Sequence, residues 1–391
     1  MNEILSHRAR LVMLTPHLWL QNGVVTTSGR MIVAVEPMGR KSPPGRLVEW
    51  GPGVLMPSLV NAHTHLTLSA LKGKPERGSG FVRWVQSLIE AREGLSMEDA
   101  LEATREAICA LKGEGVGLVG EFGPLFPVEG LLRDSGMEGI VWQEFLGPDR
   151  ELPVLESRFP GIVLSYAGHA PHTASPGLLK RLKATCSGLG LRFSMHLAES
   201  MEEKEFLETG EGPWALLLRS RGIEFSHWDC FGRTPVQLAM ELGLLDERTV
   251  LVHLLQVTSR ELEFLAESKA KVCLCPRSNL ALHRALPDLE EFLRRGLRPA
   301  LGTDSLASVD SLSMFEEMGV LAKGFPNVDP AVIIEMATVN GASALGRSDL
   351  GVLEKGRLAK MVYMEVQASG PRAALELLVS GTPLPSSPVG W

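Results

Sequence analysis

The residues best placed for chemistry begin with His63-Thr64-His65, which end the run Met56-Pro-Ser-Leu-Val-Asn-Ala-His-Thr-His65. On a strand, residues two apart point to the same side, so two imidazoles converge on one point, half of a metal site. Taken alone, His-x-His equally describes two hydrogen-bonded surface histidines. Three further runs change that reading, because Met195-His196-Leu-Ala-Glu199, Val252-His253 and Gly302-Thr303-Asp304 each end an apolar, strand-like stretch. Neutral imidazoles with one carboxylate suit Zn²⁺ or Fe²⁺ and leave room for a water, whose pKa falls towards ~7 on the metal. Asp304 would bind through one oxygen and accept a proton from the water on its other. Glu199, three residues beyond His196, would sit beside the metal without binding it and shuttle protons to the substrate and leaving group. His253 would orient the water or complete the ligand set.

Residues so distant in sequence need a frame that gathers them. Apolar strand segments fall at 53–63, 117–122, 139–146, 161–168, 191–196, 248–253, 270–275 and 297–302, with helical stretches between them. Such alternation is that of an α/β fold, and eight strands close a (β/α)8 barrel whose strand C-termini share one cavity. Helix starts support the count: Ser175-Pro176 and Thr234-Pro235 place a cap before a first-turn proline, and Thr258-Ser-Arg-Glu261 reads as a capping box. Longer helices are expected at 81–92 and 97–112. Before the barrel, Leu11–Leu14, Val24–Thr27, Met31–Val35 and Leu47–Trp50 read as short strands, with Ser28-Gly29 as a hairpin turn. The run from Gly351 to Val366 returns to that character. The expected organisation is therefore a barrel over 54–345 and a small β-sandwich domain built from 1–53 and 346–391. Gly381 to Trp391, rich in Pro and Ser, reads as a surface tail.

Composition narrows the classes of partner. Of 391 residues, 39 are Lys or Arg and 46 are Asp or Glu, a net charge of −7, and only two are tyrosines. No nucleic-acid groove is expected from that balance. Nowhere does the chain hold the ~18 uninterrupted apolar residues of a membrane span, and Met-Asn-Glu opens it without a signal-peptide pattern. Five scattered cysteines, an odd number, point to a reduced cytoplasmic compartment. Cys273 and Cys275 on the seventh strand read as apolar packing. His7, His17, His227 and His283 lie outside strand ends and read as ordinary surface or structural residues. Neither a dinucleotide fingerprint nor a Gly-x-Ser-x-Gly nucleophile elbow is present.

Taken in order, Met56–His65, His169-Ala-Pro-His-Thr-Ala-Ser-Pro176, His196–Glu199, Leu251-Val-His253, Cys275-Pro-Arg-Ser-Asn279 and Leu301-Gly-Thr-Asp-Ser305 resemble the amidohydrolase superfamily, in its branch of nucleoside and heterocycle deaminases and chlorohydrolases. The resemblance covers nearly the whole chain. It implies one divalent metal ion, Zn²⁺ ahead of Fe²⁺, held by His63, His65, His196 and Asp304, with Glu199 as proton shuttle and His253 and Asp304 handling the attacking water. It also implies a β-sandwich beside the barrel and a substrate contact from His169. His172 stands where the branch often has Tyr, and Gln256 where it often has a second His.

Phe81-Val-Arg-Trp84 through Ile89-Glu-Ala-Arg92, with Cys275–Asn279 and Gly302-Thr-Asp-Ser-Leu-Ala-Ser308, most resembles the aminodeoxyfutalosine deaminases of menaquinone biosynthesis. The expected partner is thus a small molecule, a purine nucleoside or related heterocycle, and a homodimer is compatible with this reading. Trp84 would be a stacking lid, and Arg83, Arg92 or Arg277 would bind the benzoate carboxylate of that substrate. The alternatives are deamination of adenosylhomocysteine or methylthioadenosine, amino- or chlorohydrolysis of a triazine or pyrimidine, and a metal-binding barrel without catalysis. An unliganded acid three residues from a ligand, Glu199, speaks against the last.

Overall fold

The computed structural model describes residues 3–391. Eight parallel strands hydrogen-bond in chain order: Leu59–Thr64, Val116–Phe122, Glu138–Phe145, Ile162–Gly168, Phe193–Leu197, Thr249–His253, Lys271–Leu274 and Ala300–Leu301. The eighth meets the first just beyond its end, where the Thr303 and Asp304 N–H groups donate to the His63 carbonyl at 3.0 and 3.1 Å. Most of these strands are buried along their whole length, as a parallel sheet covered by helices requires. Ser175, Thr234 and Thr258 cap their helices as their sequences predict, the last two in full capping boxes. Helices at Phe81–Glu93 and Met97–Gly113 also match expectation. Cys273 and Cys275 are fully buried in one cluster with Trp142, Val250, Val252 and Ala300. Among the described residues no helix is long and apolar enough to cross a membrane.

The stretch expected as one strand over 53–63 is two. Val54–Pro57 pairs antiparallel with Met361–Met364 and parallel with Leu11 and Val12, whereas Leu59–Thr64 belongs to the barrel. Between them the Ser58 N–H donates to the Lys360 carbonyl. An unbroken apolar run does not record where its hydrogen-bond partners change. The remaining seven strands form one mixed sheet, in which Ile4–Thr15 is central and pairs with Leu18–Ser28, Arg46–Glu49 and Val54–Pro57. Met31–Pro37 closes the far side through an isolated bridge from Met31 to Leu358. Ala9, Val12, Val25, Ile32, Leu55, Met361 and Val389 thereby share one core.

The expected surface tail is corrected too: Ser386–Val389 pairs with Met361–Met364 as an edge strand, and the Trp391 indole N–H donates to the Met361 carbonyl at 2.8 Å. An edge strand tolerates Pro388, whose missing N–H would be costly in the sheet interior. Helix Pro371–Leu378 packs instead against the barrel helix Pro330–Met336.

A buried ion cluster joins the sheet to the base of the barrel. Glu138, opening the third barrel strand, pairs with Lys360 at 3.4 Å and with Arg347 and Arg30, and the Glu138 and Lys360 side chains are 6% and 4% exposed. Burial alone would raise the Glu138 carboxyl, but the three cations outweigh it and hold it below its ordinary value. A carboxyl depressed in the folded state stabilises fully above its unfolded pKa and loses that contribution as pH falls through the folded value. Glu138→Ala strands the buried Lys360 ammonium and is expected to cost about 3–5 kcal/mol in urea unfolding at neutral pH. The penalty should shrink in acid, where wild-type Glu138 is itself protonated; an unchanged midpoint at neutral pH contradicts the assignment.

Candidate metal and catalytic site

Parallel strands place their C-terminal ends on one face, and there the structure gathers the histidines. The His196 Nε2 lies 3.3 Å from that of His63 and 3.4 Å from that of His65, while Asp304 Oδ1 stands 3.8 and 3.7 Å from the latter two. The Phe122 ring lies beside all three imidazoles, its centroid 4.4 Å from that of His63. Several backbones are bent to achieve this: Ala198, His253, Leu254 and Asp304 have positive φ of 53, 76, 49 and 59°. Non-glycine residues held in that region at several strand ends mark a site maintained by its surroundings.

Each group is oriented by a neighbour. His196 donates from Nδ1 to the His169 carbonyl at 2.9 Å, which leaves its Nε2 lone pair facing the cluster. Asp304 Oδ2 accepts from the Ser278 and Ser308 hydroxyls, so Oδ1 alone faces the histidines. Oδ2, the oxygen expected to take a proton from the water, is thus the one the two hydroxyls meet. His253 Nδ1 meets Asn279 Oδ1 at 3.4 Å, turning Nε2 towards Glu199 Oε1 at 3.8 Å. Glu199 is fastened through its backbone: Glu203, fully buried, accepts from the Glu199 and Ala198 N–H groups at 2.8 and 3.1 Å. Glu121, buried in the second strand, accepts the Leu66 N–H at 2.9 Å and so anchors the turn that follows His65.

Electrostatics favour the neutral form of His63, His169 and His196. Burial, then the charges of His65, His196 and His253, push the His63 pKa well below its ordinary value. His196 and His169 fall to about 3, again chiefly by burial, with His169 adding to the shift of His196 and His172 to that of His169. Burial alone would raise Glu199, but His253, His283 and His196 together hold it well below the usual carboxylate range. His63 and His65 both face the one Nε2 lone pair of His196, which cannot serve two donors well at once, whereas a cation among these nitrogens and Asp304 Oδ1 satisfies all of them. The nitrogen separations of 3.3 and 3.4 Å match the ~3.3 Å edge of a tetrahedral shell with bonds of about 2.0–2.1 Å. The residues therefore fit a divalent metal.

Other expected site residues are placed differently. His169 borders the cluster, its ring 5.1 Å from that of His196 and its Nδ1 bonded to the Thr173 hydroxyl at 2.6 Å. His172 packs on Trp214 at 4.2 Å, with no hydrogen bond to either ring nitrogen. Arg277 is engaged away from the histidines: it pairs with Glu316 at 2.7 Å, on helix Met314–Gly324, and donates to the Ser311 carbonyl just before that helix at 2.7 Å. Arg83 is exposed and bonded to Gln86. Trp84 is 7% exposed and stacks on Phe81, inside a helical cluster with Trp214, so it is part of a wall and not an open lid. His283, expected to be ordinary, lies 3.2 Å from Glu199 Oε1. Its one sequence signal is the four-residue spacing from Asn279.

Comparison with known proteins matches residues 54–382 to the amidohydrolase family, and the chain belongs to that family. It is accordingly a hydrolytic enzyme. A 5-methylthioadenosine/S-adenosylhomocysteine deaminase of Moorella thermoacetica is 30% identical over 344 residues, 82% of this chain and 75% of the relative. An aminodeoxyfutalosine deaminase of Deinococcus radiodurans is 30% identical over 346 residues, 83% of this chain and 81% of the relative. The fold is shared with the crystal structure of Helicobacter pylori aminofutalosine deaminase in complex with methylthio-coformycin, at a TM-score of 0.86 and 24% identity over 98% of this chain and 97% of that one.

Proposed function

We propose that this chain is a metal-dependent deaminase that replaces the exocyclic amine of an adenine-type nucleoside by oxygen and releases ammonia. The observation that carries this reading is a three-histidine cluster, with Asp304 Oδ1 beside two of its members, and an acid, Glu199, next to it and outside it. His63, His65, His196 and Asp304 would hold the metal, Zn²⁺ before Fe²⁺, and the ion would supply a Lewis acid that makes water acidic near neutral pH. Glu199, a carboxylate at rest, collects one proton of the attacking water and delivers it to the ring nitrogen next to the carbon under attack. Asp304 takes the water's other proton and passes it to the departing amine, and His253 orients that water. His169 borders the space for the base. The five free cysteines support a cytoplasmic setting.

The finer choice of substrate is aminodeoxyfutalosine, as in menaquinone biosynthesis. With Arg277 engaged elsewhere, its support is the aromatic wall beside Glu199, where Phe81 packs on His283 at 4.7 Å and Trp84 stacks on Phe81. An aromatic wall suits a nucleoside that carries a benzoate better than one that carries a zwitterionic amino acid. The test compares kcat/KM for aminodeoxyfutalosine, methylthioadenosine, adenosylhomocysteine and adenosine. Aminodeoxyfutalosine is expected to be best; equal or better turnover of adenosylhomocysteine reverses the choice, and failure to deaminate any of the four removes the nucleoside reading.

A further inference from the structure

The helix Pro276–His283 leaves the seventh barrel strand and runs beside the site. Three of its side chains reach the acid and base groups: Ser278 bonds Asp304 Oδ2, Asn279 meets His253 Nδ1, and His283 Nε2 lies 3.2 Å from Glu199 Oε1. Asn279 and His283, four residues apart, share one helix face. The His283 and Glu199 side chains are 7% and 10% exposed, so little water competes for this contact. Facing a carboxylate oxygen, Nε2 carries the proton and donates. Oε1 thus lies between His283 and His253, while no described residue hydrogen-bonds Glu199 Oε2. On its other side His283 rests against Phe81, the first residue of helix Phe81–Glu93.

We propose that His283 is the positioning residue for the proton shuttle: its hydrogen bond pins Glu199 Oε1 and leaves Oε2 to meet the substrate, and Phe81 holds the imidazole in that pose. A carboxylate free to rotate about its last bond would spend most of its time misaligned, so pinning one oxygen favours the chemical step with little effect on binding. The inference rests on the deaminase reading for its kinetic form but on the His283–Glu199 contact for its substance.

The experiment uses the metal-loaded enzyme and its better nucleoside substrate. His283→Ala is expected to lower kcat about 10–100-fold, the scale usual for a group that orients a site residue, with KM and metal content nearly unchanged. His283→Gln, whose amide can donate to the same oxygen, should recover most of the loss. In a Glu199→Gln background His283→Ala should cost little more, because the two act as a unit. Unchanged kcat in His283→Ala, or equal losses in both backgrounds, overturns the proposal. If the wild type deaminates no nucleoside, the test passes to ¹⁵N-histidine NMR: Glu199→Gln should shift the His283 Nε2–H signal, and an unmoved signal overturns the proposal separately from the substrate reading.

Discussion

Glu199→Gln is expected to keep its metal and its fold while kcat falls by about 10²–10⁴, the usual contribution of a positioned acid or base. The amide nearly matches the acid in shape, and the backbone bonds to Glu203 that hold this turn do not involve the Glu199 side chain. What is lost is the transferable proton. The change also alters the bond with His283, since the new side chain can present either an oxygen or an amide nitrogen to Nε2. Steady-state kinetics with metal analysis on the same preparation checks the prediction. Near-normal kcat would transfer the shuttle to another residue, and loss of metal would make Glu199 a ligand.

His65→Ala is expected to reduce bound divalent metal well below one per chain and to bring turnover to background. His65 Nε2 stands 3.4 Å from that of His196 and 3.7 Å from Asp304 Oδ1, so its removal opens one corner of the cluster. The remaining groups, two imidazoles and one carboxylate oxygen, lack the fourth donor of the set. The neutral state of His63 and His196 makes the reverse experiment informative. As pH falls below the ordinary histidine range, protons compete with metal for these nitrogens, and metal release should precede unfolding. Elemental analysis of wild type and variant after dialysis reads both effects, and full metal content in His65→Ala removes His65 from the ligand set.

Much of this site is legible in the sequence because strand geometry is simple. The period of two places His63 and His65 on one side, and apolar runs ending in His196, His253 and Asp304 mark where a parallel barrel presents its strand ends. The helix caps at Ser175, Thr234 and Thr258 are likewise local, each being a hydrogen bond within four residues. Local rules of that kind need no knowledge of the rest of the fold.

Tertiary structure decided the properties that depend on which segments become neighbours. The run 53–63 divides between two sheets because its partners, Met361–Met364 and Val116–Phe122, lie far along the chain. Arg277 has the chemistry to bind a carboxylate ligand, yet Glu316 arrives on a later helix and takes it. Asp304 Oδ2 meets the hydroxyls of Ser278 and Ser308, one of them on the helix that follows another strand. His283 ends a short helix and not a strand, and only the docking of that helix brings its ring to Glu199. The sequence by itself determined the barrel and which histidines and acids stand at its strand ends, because periodicity and local hydrogen bonds act within a few residues. The partners that aim each of those groups were decided by packing between distant segments, since a hydrogen bond or ion pair forms wherever the nearest satisfied geometry lies in space.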